Sequence, residues 1–263
     1  MIDWRHWHNE PFLTGGLILA GWLYAVLAGP LRASLAPGLP YPRAQAALFY
    51  SALAVFYLAV GSPLDQVGER FLLSAHMVQH LLIMYPAALL MLLGTPPWMA
   101  DAVLASPRLR APLRMLFHPM ACAVLSVGVV SIWHAPGLYE WTLQDKLAHA
   151  GEHLMFLAVS LLYWWPLASP SAAFPAPGYG VRMLYLVGTE IGMIPVSAYI
   201  VFSRDILYPT YEYAPRLIPG FSPADDQLLA GIIMKSAGMA VTLAALGVCF
   251  FKWSRSSQTT QPG

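Results

Sequence analysis

Two histidine pairs with helical spacing are the residues of this sequence that could do chemistry. His76 and His80 are four residues apart, and His149 and His153 repeat that spacing. Residues four apart lie on one side of a helix, so each pair directs two imidazoles the same way. Neutral imidazole binds copper, zinc, iron and nickel well. Together with His134, which follows another apolar segment, these histidines are predicted to form one metal site.

Two other kinds of side chain near these histidines could tune a metal site. Glu152 and Gln79 are predicted to accept hydrogen bonds from imidazole N–H groups and so fix their tautomers, with Glu152 facing another side of its helix. Thioethers suit Cu(I), and the sequence places three methionines on the same segments: Met77, Met84 and Met155.

The composition indicates a membrane environment for these histidines. Hydrophobic residues make up 58% of the 263 residues and charged residues only 10%, against roughly 25% charged residues in soluble domains. The formal net charge of +1 argues against a nucleic-acid partner. The two cysteines form no CxxC motif, which argues against a thiolate metal site or a disulfide framework.

Seven apolar segments approach the ~20 residues with which a helix crosses a bilayer. They are residues 12–29, 44–61, 72–94, 119–133, 148–168, 181–202 and 227–251. We therefore predict an all-α polytopic membrane protein, with a seven-transmembrane-helix bundle as one domain over residues 1–253 and a disordered polar tail over 254–263. The fourth segment is short, and it is expected to extend towards Tyr139 with a distortion at Pro136.

The distribution of Lys and Arg predicts an outside N-terminus and a cytoplasmic C-terminus. The side that holds the loop after the first segment carries eight basic residues and the other side five, and positive residues accumulate in cytoplasmic loops. Seven of the eight histidines then lie at the outer face, and His118 is expected to start a helix on the cytoplasmic side. His6 and His8 are expected to join an interfacial belt with Trp4 and Trp7.

Several other polar side chains fall within or beside the apolar segments. Lys235 and Glu190 are expected either to form a structural ion pair or to tune the histidine site, because ionisable residues inside a membrane are costly. Asp65 and Glu69 are expected near the entrance to the metal site. An outer aromatic belt is predicted from three tyrosines: Tyr208, Tyr211 and Tyr213.

Five motifs together resemble a known family. They are residues 76–80 (HMVQH), 92–97 (LLGTPP), 133–139 (WHAPGLY), 149–153 (HAGEH) and 163–166 (YWWP), with Phe156 between the last two. This combination resembles the multi-span, Bacillus-like CtaG-type cytochrome c oxidase assembly factors of bacteria. The resemblance extends from about Pro11 to Phe251. A single-span copper chaperone that shares the CtaG label is a different protein.

The resemblance implies a function in the maturation of haem-copper oxidases. It implies a multi-pass protein of the bacterial cytoplasmic membrane that binds copper, as Cu(I), and delivers it to an oxidase subunit, with other copper chaperones as further partners. The family's histidines correspond here to His76, His80, His134, His149 and His153, whereas His6 and His8 have no counterpart. The resemblance implies an assembly factor, so no enzymatic reaction is predicted.

Three alternatives stay open at this point. Histidines on neighbouring helices could ligate haem in a membrane redox protein, although two imidazoles on one side of a helix suit a small ion better. Zinc could serve an intramembrane hydrolase, with Glu152 or Asp65 activating a water, although HExxH is missing. The third alternative is a purely structural assembly scaffold. The sequence also leaves open whether the protein forms a homodimer.

Overall fold

The computed structural model describes Arg5 and residues 7–258, and the side chains up to residue 256. Within these residues the backbone forms helices and loops and no strand, which confirms the predicted all-α class. The first seven α-helices are α1 (Pro11–Ala28), α2 (Arg32–Leu35), α3 (Arg43–Val60), α4 (Pro63–Arg70), α5 (Leu73–Leu82), α6 (Ala88–Leu93) and α7 (Pro97–Val103). The others are α8 (Arg110–Leu116), α9 (Pro119–Trp133), α10 (Pro136–Gln144), α11 (Lys146–Ala168), α12 (Tyr179–Gly192), α13 (Ile194–Phe202), α14 (Pro209–Glu212) and α15 (Pro223–Gln258). A short 3₁₀ turn, Pro107–Leu109, precedes α8.

Five helical stretches of the described chain are long and apolar enough to cross a membrane. They are Pro11–Ala28, Arg43–Val60, Leu73–Leu93, Tyr179–Phe202 and Pro223–Ser256. A sixth crossing is available if α8 and α9, which meet at an angle of 67°, act as one broken span. These stretches coincide with six of the seven predicted segments. The remaining segment forms α11, which has 23 residues but carries the polar His149, Glu152 and His153.

Proline determines where several helices break. The fourth predicted segment does not continue to Tyr139, because α9 ends at Trp133 and a separate helix, α10, begins at Pro136. Proline is favoured at the first position of a helix, where its missing N–H costs nothing. In the third span, Pro86 lies in a π-helical turn, Ile83–Ala87, that joins α5 to α6 without interrupting the helix. The wider turn accommodates a residue that cannot donate the regular hydrogen bond.

The N-terminus of α5 receives its cap from the last helix of the chain. Asp226, in the first turn of α15, accepts hydrogen bonds from the backbone N–H of Leu73 at 2.6 Å and of Ser74 at 3.1 Å, and from the Ser74 hydroxyl at 2.5 Å. The carboxylate is buried, with 1% of its surface exposed. It satisfies N–H groups that a helix start otherwise leaves unpaired. This contact fixes the start of the helix that carries His76 and His80.

Three short helices, α4, α10 and α14, lie over one end of the bundle. Gly68 of α4 sits against α5 so closely that a Cβ at its position would lie 2.3 Å from the Gln79 amide oxygen and 3.0 Å from the His76 Cα. Below the histidines, Phe56, Val130 and Phe156 belong to one buried apolar cluster. The short helices above and the apolar cluster below enclose the layer that contains the histidines.

The last helix extends further than the sequence suggests. Residues 254–258, predicted to begin a disordered tail, continue α15 as far as Gln258. Residues 259–263 lie outside the described part of the chain.

Candidate metal centre

All five predicted histidine ligands are buried at the same end of the bundle. His76 and His80 project from α5, His149 and His153 from α11, and His134 directly follows α9. Their exposed fractions lie between 0% and 5%. The ring centroids of His76 and His153 are 6.1 Å apart, and those of His80 and His134 5.7 Å. The helices therefore bring the five imidazoles into one layer.

Four side chains offer ligand atoms that lie within 4.8 Å of one another: His76, His80, Glu152 and His153. We call them the histidine–glutamate group. The sequence predicted that Glu152 faces another side of its helix, but in the structure it faces the histidines. It is three residues after His149 and therefore shares a helix face with it. The Glu152 Oε1 atom lies 3.8 Å from the His80 Nε2 atom.

Hydrogen bonds at Nδ1 orient two members of the predicted histidine set. The Tyr211 hydroxyl donates to the Gly68 carbonyl oxygen at 2.7 Å, so it accepts at 3.0 Å from the Nδ1–H of His76. The Nδ1–H of His134 donates to the Val130 carbonyl oxygen at 2.7 Å. Since a neutral imidazole carries one N–H, the network assigns a free lone pair to Nε2 of both rings. This is the form in which imidazole binds a metal.

A carboxylate orients His149 in the same way, through its Nδ1 atom. Its Nδ1 lies 2.6 Å from Oε1 of Glu69, and its Nε2 is buried without a hydrogen-bond partner. A carboxylate that holds one ring nitrogen while the other faces a ligand site is a recurring arrangement around protein-bound metals. The ring centroid of His149 lies 4.2 Å from that of His153 and 5.3 Å from that of His76.

Buried polar atoms with no hydrogen-bond partner are concentrated in this layer. They are Nδ1 of His80, Nε2 of His134, His149 and His153, and both carboxylate oxygens of Glu152. The Nε2 atoms of His76 and His80, by contrast, lie at hydrogen-bond distance from each other, 2.8 Å apart. A buried polar group without a partner costs about 1–3 kcal/mol. A metal ion would satisfy several of these atoms at once, so the residues present fit an ion held by imidazole and carboxylate.

A second group of ligand atoms lies between this layer and α4. Asp65, Glu69 and His149 also place one ligand atom each within 4.8 Å of one another. His8 contacts Asp65 at 2.5 Å, and the Gln79 amide donates to the other Asp65 oxygen at 2.8 Å. We call Asp65, Glu69 and His149 the acidic group. His149 therefore stands between the two groups.

The electrostatics of the acidic group follow from its burial. Burial raises the pKa of Asp65 in spite of its hydrogen bond with His8. Burial also opposes ionisation of Glu69, but the hydrogen bond with His149 and the nearby charges of His149, His8 and Arg70 together lower the pKa of Glu69. The hydrogen bond with Asp65 raises the pKa of His8. The environment therefore shifts the pKa values of the two carboxyl groups in opposite directions.

The other residues predicted to tune the metal site make contacts outside the histidine–glutamate group. The Gln79 amide also donates to the Ala59 carbonyl oxygen at 3.0 Å, so its N–H groups link α5 to α3 and α4 rather than to an imidazole. Lys235 forms the expected ion pair with Glu190. Met77 is buried and packs with Tyr139, Tyr208 and Tyr211.

Two of the three tyrosines assigned to an outer belt are part of the site. Tyr208 and Tyr211 are 1% and 2% exposed, whereas Tyr213 is 81% exposed. Tyr208 donates to the His134 carbonyl oxygen at 2.9 Å. Their positions in the segment between α13 and α15 resemble an interfacial anchor, and the fold of α14 back onto the bundle could not be foreseen. His118 caps the N-terminus of α9, as expected, and His6 lies outside the described residues.

An all-helical bundle that encloses histidines and carboxylates defines a membrane protein with a buried site suited to a metal ion. The chain belongs to the cytochrome c oxidase caa3 assembly factor family (Caa3_CtaG), and the match covers residues 22–256. This confirms the family predicted from the motifs. No curated protein and no solved structure matches the chain significantly.

Proposed function

We propose that this protein binds one Cu(I) ion in the histidine–glutamate group and delivers it to a subunit of a haem-copper cytochrome c oxidase during assembly. Membership of an oxidase assembly factor family supports the partner. The ion is cargo, received from another copper chaperone and passed on by ligand exchange. The description of the family as an assembly factor favours a role without enzymatic turnover.

The observation that carries the proposal is the facing pair of Nε2 atoms on His76 and His80, 2.8 Å apart. Tyr211 commits the single N–H of neutral His76 to Nδ1, so its Nε2 presents a lone pair. An ion bound by this atom, by His80 and by His153 would have neutral nitrogen ligands, which suits Cu(I). Glu152 supplies a carboxylate that offsets the positive charge in a buried position.

The topology that fits this function has seven crossings. We propose that α11 crosses the membrane in addition to the five apolar helices and the bent pair, since its 23 residues exceed the ~20 that a bilayer needs. The excess of basic residues after the first helix supports a topology with the N-terminus outside and the C-terminus in the cytoplasm. The metal layer then lies near the outer surface of the bacterial cytoplasmic membrane.

The acidic group would serve as the entrance. Glu69 is half-buried and therefore lies closer to the outer solution than the fully buried Glu152. His149 is within ligand distance of Glu69 and has its second nitrogen unpaired. An ion that exchanges one ligand at a time would pass from the carboxylates to His149 and then to His153 or His76. No step requires an uncompensated charge in the bundle.

The direct test is anaerobic Cu(I) titration of the purified protein against a chromophoric chelator. We expect the paired change His76→Ala and His153→Ala to remove one equivalent of copper bound through nitrogen. His118→Asn is the matched control, because His118 is exposed and asparagine can still cap α9. An unchanged number of bound copper ions in the double variant would contradict the proposal.

The same preparation separates the alternatives. A haem protein would show a Soret band, and a zinc hydrolase would retain zinc and cleave a substrate. In cells, the double variant should yield an oxidase that contains haem but lacks copper. Full copper loading of the oxidase in such cells would instead support a structural scaffold. Mass measurement of the detergent-solubilised protein would determine whether it is a homodimer.

A further inference from the structure

His134 stands apart from the other histidines and lines a separate cavity. It is not part of either group of closely spaced ligand atoms, although its ring lies beside that of His80. Val130 fixes its Nδ1–H, and its Nε2 is buried without a hydrogen-bond partner. The adjoining cavity has a volume of about 30 Å³. A lone pair with a fixed direction and no partner therefore borders a small cavity inside the bundle.

The wall of this cavity is unusually rich in sulfur. Four methionines line it together with His80 and His134: Met77, Met84, Met193 and Met234. They come from α5, the π-helical turn, the junction of α12 with α13, and α15. Met84, Met193 and Met234 all pack against the apolar cluster that contains Val130 and Trp133, directly before His134. Segments distant in sequence thus bring four methionine side chains to the wall of the cavity that His134 also lines.

We propose that this methionine cavity is a second Cu(I) site, in which Nε2 of His134 and thioethers of the lining methionines hold the ion. Imidazole with thioethers is a ligand set that selects Cu(I), because thioether sulfur is soft and neutral. The assignment depends on the proposed function only for the identity of the cargo. It gives His134 a site of its own, deeper in the bundle than the acidic group.

The charge of the surroundings favours a monovalent ion. The cavity is also lined by Glu190 and Lys235, which form an ion pair. The second oxygen of Glu190 accepts from the Thr242 hydroxyl at 3.0 Å. The pair has no net charge, so no free carboxylate is present to offset a divalent ion. Burying an ion becomes more costly as its charge rises, which disfavours zinc and Cu(II) here.

The proposed second site shares residues with the histidine–glutamate group and with a further cavity in the bundle. His80 belongs to the histidine–glutamate group and also lines the methionine cavity. Met84, Met193 and Glu190 in turn line a further cavity of about 20 Å³. The methionine cavity therefore shares lining residues both with the histidine layer and with this further cavity. An ion released by His153 and His76 could move to His134 by way of His80.

X-ray absorption of the Cu(I)-loaded protein tests the site, because sulfur and nitrogen neighbours scatter differently. The protein is labelled with selenomethionine, so that copper bound by these residues also appears at the selenium edge. We expect copper–selenium scattering in the otherwise unchanged chain and in the His76→Ala, His153→Ala variant. Exclusively nitrogen and oxygen scattering would overturn this inference while leaving the proposed function intact.

Substitutions distinguish the methionines that line the cavity from methionines elsewhere in the protein. The triple change Met84→Leu, Met193→Leu and Met234→Leu conserves side-chain volume and should remove the sulfur signal and one copper equivalent. Met239→Leu is the matched control, since Met239 lies on α15 with 47% exposure and does not line the cavity. Met234→Leu alone, the least disruptive change, should weaken Cu(I) binding at least tenfold. Sulfur scattering that persists in the triple variant, or that is lost equally with Met239→Leu, would overturn the assignment.

Discussion

The Nε2 atoms of His76 and His80 lie 2.8 Å apart in a layer where the Tyr211 hydroxyl holds the opposite nitrogen of His76. Since Nδ1 of His80 has no partner, neutral His80 can carry its single N–H on Nε2 and donate it to the lone pair of His76 Nε2. A metal ion in the proposed site would have to replace this hydrogen bond, and the two rings would move apart to hold it. Tyr211 imposes this arrangement from a short helix that is far away in sequence.

Tyr211→Phe should weaken copper binding without changing the number of ions bound. The substitution removes the hydroxyl that fixes the His76 tautomer, and loss of such an outer hydrogen bond costs about 10–100-fold in metal affinity. Competition titration with a Cu(I) chelator measures the change. Tyr213→Phe is the control, because Tyr213 is 81% exposed. Equal affinities for the two variants would show that Tyr211 does not orient a ligand.

Glu152→Gln should discriminate between metal ions. The amide is nearly isosteric but carries no charge, so zinc, which gains more from a carboxylate, should lose affinity by about tenfold or more. Cu(I), held mainly by imidazole, should lose less. Parallel titrations with both ions, with Glu212→Gln as an exposed control, provide the measurement. A larger loss for Cu(I) than for zinc would argue against imidazole as its dominant ligand.

Acid should release the copper. Imidazole binds a metal only in its neutral form, and free imidazole gains a proton at about pH 6.5. Protons therefore compete with the ion increasingly as the pH falls, and affinity is retained on the alkaline side. Copper retention after dialysis should decrease between about pH 8 and pH 5. Retention that is independent of pH over this range would be inconsistent with histidine ligation.

Gly68→Ala should destabilise the protein and displace α4 from the site. The added Cβ would lie 2.3 Å from the Gln79 amide oxygen and 3.0 Å from the His76 Cα, so the helices must separate. Overpacking of this kind costs about 1–3 kcal/mol. Thermal unfolding in detergent measures the effect. Gly188→Ala is the control, since no atom lies within 4 Å of its added Cβ, and it should leave the unfolding temperature unchanged or raise it.

Glu190 and Lys235 should show strong energetic coupling. Removing either partner leaves a charge without compensation inside the bundle, whereas removing both restores neutrality. We expect Glu190→Gln and Lys235→Met to be less destabilising together than the sum of the single changes, by about 1–3 kcal/mol. A double-mutant cycle on thermal unfolding gives the coupling energy. Simple additivity would mean that the ion pair contributes nothing to stability.

Much of the helical framework could be predicted, because each apolar segment carries its own signal. The helix bounds near Leu73 and Phe202 agree with the predicted apolar segments. The prediction at Pro136 was wrong: a distortion within one helix was expected, whereas α9 ends at Trp133 and Pro136 starts a new helix, because proline at the first turn starts a helix as readily as it distorts one. The tail after Ser254 continues as helix, because neither proline nor glycine stops it before Gln258.

The donor residues could be predicted far better than their grouping. Periodicity identified His76, His80, His149 and His153, whereas their division into two groups depends on how α4 and α11 pack. The assignment of Glu152 to another helix face overlooked that positions three apart are neighbours. Tyr211 carried no signal at all, because its function arises from a loop that returns to the bundle.

The cap that Asp226 places on α5 has a consequence for biosynthesis. Asp226 follows Ser74 by 152 residues, so the start of α5 stays uncapped until the ribosome has made the last helix. The helix that carries His76 and His80 therefore gains its N-terminal cap only after Asp226 has been synthesised. The proposed copper site would accordingly be completed late in biosynthesis.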